Sequence, residues 1–202
     1  TYNTGGIYKI RLTETITTPE SNLGGKGYVT ATNAAQTGDL TSITIAVTDT
    51  NPSSAYIGMA VWIVEGLGAG QYGYIDTYNA ASKVATVRKY SDGTPGWDHL
   101  LGDSSVSSYL DATSIYSIEP RVSIPAPQND GSTPPRTALA RAVVTAEQIS
   151  SIKILDCGAS YTSAPTITII DPNNTTDAPI QAYIGDGVLG QPTFTSRGFE
   201  FE

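Results

Sequence analysis

The stretch Gly58–Tyr90, GMAVWIVEGLGAGQYGYIDTYNAASKVATVRKY, decides the fold. GMAVWIVEG is a short apolar run bounded by glycines, and YGYIDTY and KVATVRKY alternate apolar with polar residues, the period of a strand with one buried face. The glycine-rich GLGAG separates the first strand from the second, and NAAS joins the second to the third as a hairpin. Three antiparallel strands in succession predict a sheet.

The same grammar extends in both directions. Upstream, LTSITIAV from Leu40 to Val47 has period two and is followed by the turn-forming TDTNPSSAY, while the alternation around Ile7–Leu12 predicts an N-terminal strand. Downstream, the polar loop SDGTPGWDHLLGDSSVSSYLDA leads into a strand over TSIYSIEPRV. The segment 123–135, SIPAPQNDGSTPP, holds four prolines and few apolar residues and is expected to be a linker. It divides the chain into an N-terminal β-domain, 1–122, and a C-terminal β-repeat domain, 136–202.

Past the linker, TALARAVVTAEQ is alanine-rich and follows Pro134 and Pro135, as a helix start does. A repeat argues for strand and turn instead. Residues 140–161 align with 180–201 at an offset of 40, matching Ala142 with Ala182, Val144 with Ile184, Ile149 with Leu189, Ile154 with Phe194, Gly158 with Gly198 and Tyr161 with Phe201. The second copy has GDG where the first has AEQ, a turn former unsuited to a helix. It ends before the proline-started strand that follows the first copy, so it is expected to be truncated. The expected fold is all-β: small antiparallel sandwich or barrel-like modules in tandem, with a 40-residue β repeat in the C-terminal part.

Composition narrows function. Glycine, threonine, serine and tyrosine are abundant, which suits strands and turns. The net charge is −8 with no cluster of lysine or arginine, so nucleic acid is not an expected partner. Apolar runs of a few residues are far below the ~20 that span a bilayer, so no membrane insertion is expected. Cys157, the single cysteine, has no partner for a disulfide or a cysteine-based zinc site.

Two groups of residues carry a resemblance. YIGMAVWIVEGLGAGQYGYIDTYNAASKVATV, continued by LDATSIYSI, resembles a β-module of tailed-bacteriophage structural proteins in which a glycine-alanine-glycine-glutamine turn precedes a strand, a hairpin and an aspartate-alanine-threonine-serine strand. ISSIKILDCGASYTSAPTITI is similar to a repeat in large virion proteins of T4-like phages, including cyanophages, with Cys157 and Ala159 replacing two of the usual glycines. The resemblance implies a structural component of a virion appendage (tail fibre, baseplate or neck), acting by assembly. Its implied partners are other copies of the chain and other virion proteins, its location the virion, and it implies no site residues.

Motifs for catalysis are sparse. Gly66–Gln71 is glycine-rich, but no Lys-Ser/Thr pair and no helix pattern follow, so a strand-to-strand turn is expected rather than a phosphate loop. His99 is the only histidine and lies in the loop PGWDHLLGD. No catalytic, cofactor or metal residue is assigned, although the acidic loops Asp171–Asp177 and Asp186 have oxygen donors of the kind calcium takes. Two other function classes predict different surfaces. A carbohydrate-binding adhesin for a host-surface glycan predicts exposed rings, for which Trp97, Tyr90 and Tyr109 are the candidates, and Trp97 would otherwise fold back to plug the end of a small sandwich. A polysaccharide hydrolase predicts paired carboxylates, drawn from Glu65, Asp92, Asp98 and Asp103. Trp62, inside a strand, is expected in the core.

Overall fold

Alternation along Gln71–Asn79 and Val84–Arg88 places Gly73, Ile75, Ala85 and Val87 on one buried face and Tyr72, Tyr74, Thr86 and Arg88 on the other. These strands form the centre of the architecture. The structure is a computed structural model that describes residues 6–12, 16–17, 29–100, 109–128, 134–145, 148–172 and 180–184. Its strands are β1 (Ile7–Leu12), β2 (Ile16–Thr17), β3 (Val29–Ala34), β4 (Thr37–Gly38), β5 (Ser42–Thr44), β6 (Ala60–Glu65), β7 (Gln71–Asn79) and β8 (Val84–Arg88). They continue with β9 (Asp98–His99), β10 (Ile115–Glu119), β11 (Arg121–Ser123), β12 (Leu139–Thr145), β13 (Gln148–Asp156), β14 (Thr168–Ile170) and β15 (Ile180–Ile184). No helix occurs among the described residues, and every strand pairing is antiparallel. The all-β expectation holds, including strands rather than a helix over 139–145.

The largest sheet runs β3-β10-β6-β7-β8-β5-β4, with β9 added to β7. Its two outer strands are one piece of chain, since only Ala35 and Gln36 separate β3 from β4. That piece bonds to both sides: the Ala35 amide donates to Ser114 at 2.8 Å, the Gln36 amide to Thr44 at 2.8 Å and the Gly38 amide to Leu110 at 3.1 Å. The sheet thus closes into a small barrel, which removes its open edges. Gly38 stands at the closure, where a Cβ would lie 2.8 Å from the Ser42 carbonyl and 3.0 Å from Leu110.

Inside the barrel Ile43, Ile45, Val61, Ile63, Ile75, Val87, Tyr116 and Ile118 form the core. A polar plug accompanies it. Asp49 accepts hydrogen bonds from the Tyr56 hydroxyl, from the Tyr78 hydroxyl at 2.8 Å and from Asn51 Nδ2 at 2.9 Å, while the Ala46 amide donates to the Tyr116 hydroxyl at 2.9 Å. Burial and the Asp49 charge push Tyr56 and Tyr78 far above the ordinary tyrosine range, so both stay neutral donors.

The glycine turn is locked to a distant segment. Gly66 has φ +78, and a Cβ there would fall 1.8 Å from the Thr113 carbonyl oxygen, so only glycine fits. Leu67 bonds the same segment twice: its amide donates to Thr113 Oγ1 at 3.2 Å and its carbonyl accepts from Ser114 Oγ at 2.7 Å. The amides of Ala69, Gly70 and Gln71 donate to the carbonyls of Gly66, Ile63 and Gly68, which commits these three to the fold rather than to an outside anion.

A second core gathers Ile7, Val122, Ala138, Ala140, Ala142, Ile149, Tyr161, Ile167 and Ala182. It is built from the hairpin β12-β13 with β2, the pair β1-β15 and the pair β11-β14, so it draws on both ends of the described chain. Alanines at alternate positions 138, 140 and 142 keep these layers close. Tyr161 ties them together: its hydroxyl donates to the Pro125 carbonyl at 2.9 Å and accepts from the Ala138 amide at 3.0 Å. Of the expected linker, Ser123 belongs to β11 and Gln128 accepts from the Thr162 amide at 3.1 Å. Of the second repeat copy only residues 180–184 are described; there Ala182 is buried in the same core as its counterpart Ala142.

The two cores meet on the outer face of the barrel sheet. Trp62 is buried, as expected, but on this outer face rather than inside the barrel. Its ring stacks on Tyr72 with centroids 4.9 Å apart and 17° between planes, and the Arg141 guanidinium of β12 lies 5.3 Å from it. Arg141 donates from Nε to Glu119 at 2.7 Å and from Nη2 to Ser117 Oγ at 2.9 Å. Pro120, fully buried and without an amide hydrogen, separates β10 of the barrel from β11 of the second unit.

Burial raises the Glu119 carboxyl above its ordinary value, and Arg141 opposes the shift. Replacing Arg141 with Met leaves that carboxyl buried without its partner and is expected to lower unfolding free energy by about 3–5 kcal/mol. Because the folded-state value is raised, this group's contribution to stability is complete in acid and is lost as pH rises through that value. Glu119→Gln is therefore expected to flatten the fall in stability between acid and neutral pH, read by urea denaturation across that range; an unchanged pH profile would refute the assignment.

Candidate functional site

Beside this seam a cleft of about 1130 Å³ opens between the barrel and the second unit. One wall comes from the period-two strand β7 and the loop after β8, the other from β11 and from the segments around Arg136 and Asp156. Tyr72, Tyr90, Trp97, Asp98, His99, Arg121, Arg136 and Asp156 all line it.

Local turn chemistry sets the first wall. In the loop, Asp92 accepts from the Thr94 amide at 2.8 Å and from Thr94 Oγ1 at 2.6 Å, and Gly93 takes φ +71. These bonds hold Asp92 ionised below its ordinary range. The chain then turns back, so that Trp97 donates from Nε1 to the Asp39 carbonyl at 3.0 Å and Asp98 pairs with Tyr72 in the sheet. The Asp98 carboxylate accepts from the Ser91 amide at 2.9 Å and from its hydroxyl at 2.7 Å.

An aromatic cluster supports the floor. Tyr90 sits 5.6 Å from Tyr72 and 5.9 Å from Tyr74, edge-on to the latter, and the Arg121 guanidinium lies 4.1 Å from the Tyr74 centroid and 5.9 Å from that of Tyr90. Burial, with smaller contributions from Asp98 and Asp156, pushes Tyr72 up to about 12, and burial holds Tyr90 well above the tyrosine range. Both are neutral at physiological pH. On the opposite wall Arg136 donates to Asp156 at 2.6 Å, and the other Asp156 oxygen accepts from the Gly158 amide at 2.8 Å.

The sequence candidates separate accordingly. Trp97 is 8% exposed and belongs to the barrel core, so the alternative in which it folds back describes its ring. Tyr90 lies in the cleft, with a buried hydroxyl that has no hydrogen-bond partner among the described residues. Tyr109 is 58% exposed and does not line it. Of the carboxylates, Asp98 lines the cleft, Asp92 and Glu65 are exposed elsewhere, and Asp103 lies outside the described residues. Asp171 is buried, whereas Asp177 and Asp186 lie outside the described residues; among those described, no three histidine, cysteine, aspartate or glutamate side chains gather as a metal site would require. Sequence reasoning missed Tyr72, Arg121, Arg136 and Asp156. The alternation in QYGYIDTY could have placed Tyr72 and Tyr74 on one face, but nothing local marks Arg121 as their neighbour.

Two substitutions separate the roles of the rings. Trp97→Ala empties a core position and is expected to lower stability by about 3–5 kcal/mol. Tyr90→Phe keeps the packing and removes an unpaired buried hydroxyl, so it is expected to leave stability unchanged or raise it by about 1 kcal/mol. Thermal and urea unfolding of both variants check the pair, and a marked loss in Tyr90→Phe would mean that the hydroxyl is bonded in solution.

Comparison of the chain with protein-family models, with curated proteins and with solved structures found no match.

Proposed function

We propose that the chain is a structural building block of a tailed-phage virion appendage that works by assembling with copies of itself and with other virion proteins. The observation that carries this reading is the lock between Gly66–Gln71 and Asp111–Ser114. Both segments belong to the first of the two stretches that resemble phage proteins, as its glycine-alanine-glycine-glutamine turn and its aspartate-alanine-threonine-serine start, and they meet through Gly66, Leu67, Thr113 and Ser114. The shared residues therefore serve a folding device, which is what a resemblance between building blocks, rather than between catalytic sites, consists of.

A contact surface lies near that lock. Leu67 and Leu100 are 41% and 48% exposed and Tyr109 is 58% exposed, while the Leu100 amide donates to Gly70 and Leu110 reaches the turn beside Gly68. Exposed apolar side chains grouped on one end of a barrel suit burial against a neighbouring subunit. Asp98 and Asp156 are each held by two donors, an arrangement that favours fixed cleft walls over proton transfer.

Light scattering on the purified chain is expected to give a mass above the monomer, and Leu67→Glu with Leu100→Glu is expected to return it to monomer without changing the melting temperature. Immunogold labelling is expected to place the chain on an appendage of the particle. A monomeric protein that labels no particle sinks the proposal.

A further inference from the structure

Four arginine side chains are described, and three are paired: Arg88 with Asp76 at 2.9 Å, Arg136 with Asp156 at 2.6 Å and Arg141 with Glu119 at 2.7 Å. Arg121 is the exception. It has no carboxylate partner among the described residues and its Nε is buried without a hydrogen-bond acceptor. Stacking on Tyr74 at 4.1 Å fixes the guanidinium in place, at the lining of the cleft. In a chain of net charge −8 with 19 acidic residues, an arginine kept clear of every described carboxylate is a vacant anion position.

We infer that the cleft binds an acidic saccharide, whose carboxylate pairs with the outer nitrogens of Arg121 while its hydroxyls meet the polar walls. The reasoning rests on the pairing of charges. Asp98 and Asp156 also line the cleft, and each retains lone pairs beyond the donors it already accepts from, so each can accept from a sugar hydroxyl. Lys89 also lines the cleft and Arg136 offsets Asp156, so discrimination against phosphate rests on hydroxyl donation to these two carboxylates, of which an ionised phosphate offers less than a sugar does. Tyr72 and Tyr90, neutral and partly exposed, supply flat apolar surface beside these polar groups, the combination that matches a pyranose ring. A cleft of about 1130 Å³ has room for more than one ring. This inference does not depend on assembly into a virion, since it rests on Arg121 and the cleft walls; Leu100 is shared by the cleft rim and the proposed contact surface, whereas Leu67 and Tyr109 do not line the cleft.

The test is an array of uronate- and sialate-containing oligosaccharides, each beside its carboxyl-reduced neutral counterpart, probed with the full chain and with Arg121→Gln and Arg121→Lys. At least one acidic glycan is expected to bind at least tenfold more tightly than its reduced partner. Arg121→Gln is expected to abolish that preference and Arg121→Lys to retain part of it, with melting temperatures confirming that both variants are folded. Inorganic phosphate at millimolar concentration is expected not to compete. Retention of no acidic glycan, equal retention of reduced partners, a preference surviving in Arg121→Gln, or competition by phosphate as effective as that by the free glycan would each overturn the inference. Should Arg121→Gln fail to fold, wild-type discrimination between acidic and reduced partners decides alone.

Discussion

The contact between Arg141 and Glu119, laid against the Trp62 ring, holds the two halves of this molecule in one arrangement. A barrel closed on itself has no edge through which to extend its sheet, and the second unit attaches to its outer face instead. That face carries Trp62, Tyr72 and Tyr74 on neighbouring strands. Apolar contact alone would permit sliding, because rings tolerate many offsets. An ion pair at 2.7 Å with Glu119 nearly out of water does not, since any displacement leaves a charge buried and unpaired. Ser117, one turn of the pleat away on the same face of β10, accepts the second arginine nitrogen and fixes its rotation.

The cleft follows from that constraint. Arg141 clamps one end of the aromatic face, and Arg121, which follows Glu119 by two residues on the far side of Pro120, lies over the other end. The two arginines differ in what they meet. Arg141 reaches Glu119 because both sit in the seam; Arg121 meets the ring faces of Tyr74 and Tyr90, while Asp156, across the cleft, is paired with Arg136. A fixed geometry therefore produces one satisfied cation and one unsatisfied one within the same interface.

Much of this architecture was legible in the sequence, and what was not has a physical reason. Strands announced themselves by period-two alternation: the hairpin over 71–88 and the strand over 139–145 stand where the residues placed them, the latter in spite of its alanines and preceding prolines. Pairings between distant segments left no local trace. Ile7 pairs with Ile184 and is buried in the second core, and a period-two pattern states which face of a strand is buried without stating against what. Trp62 shows the same limit. Its burial was evident from its neighbours, yet the sheet has two covered faces, and only the position of Arg141 tells which one it serves.

Tyrosine, so frequent in this chain, has three distinct uses that its count conceals. Tyr56 and Tyr78 spend their hydroxyls on Asp49 and seal the barrel, and Tyr161 spends its own on the Pro125 carbonyl and the Ala138 amide to join layers of the second core. Tyr72, Tyr74 and Tyr90 instead use ring faces, for Trp62 and for Arg121. The first two uses need a fixed acceptor or donor within the fold and so are complete as they stand. The third leaves a guanidinium oriented by its flat side alone, with its hydrogen-bonding edge still to be matched. That asymmetry, a cation positioned by stacking rather than by charge, leaves at the cleft a guanidinium ready for an outside partner.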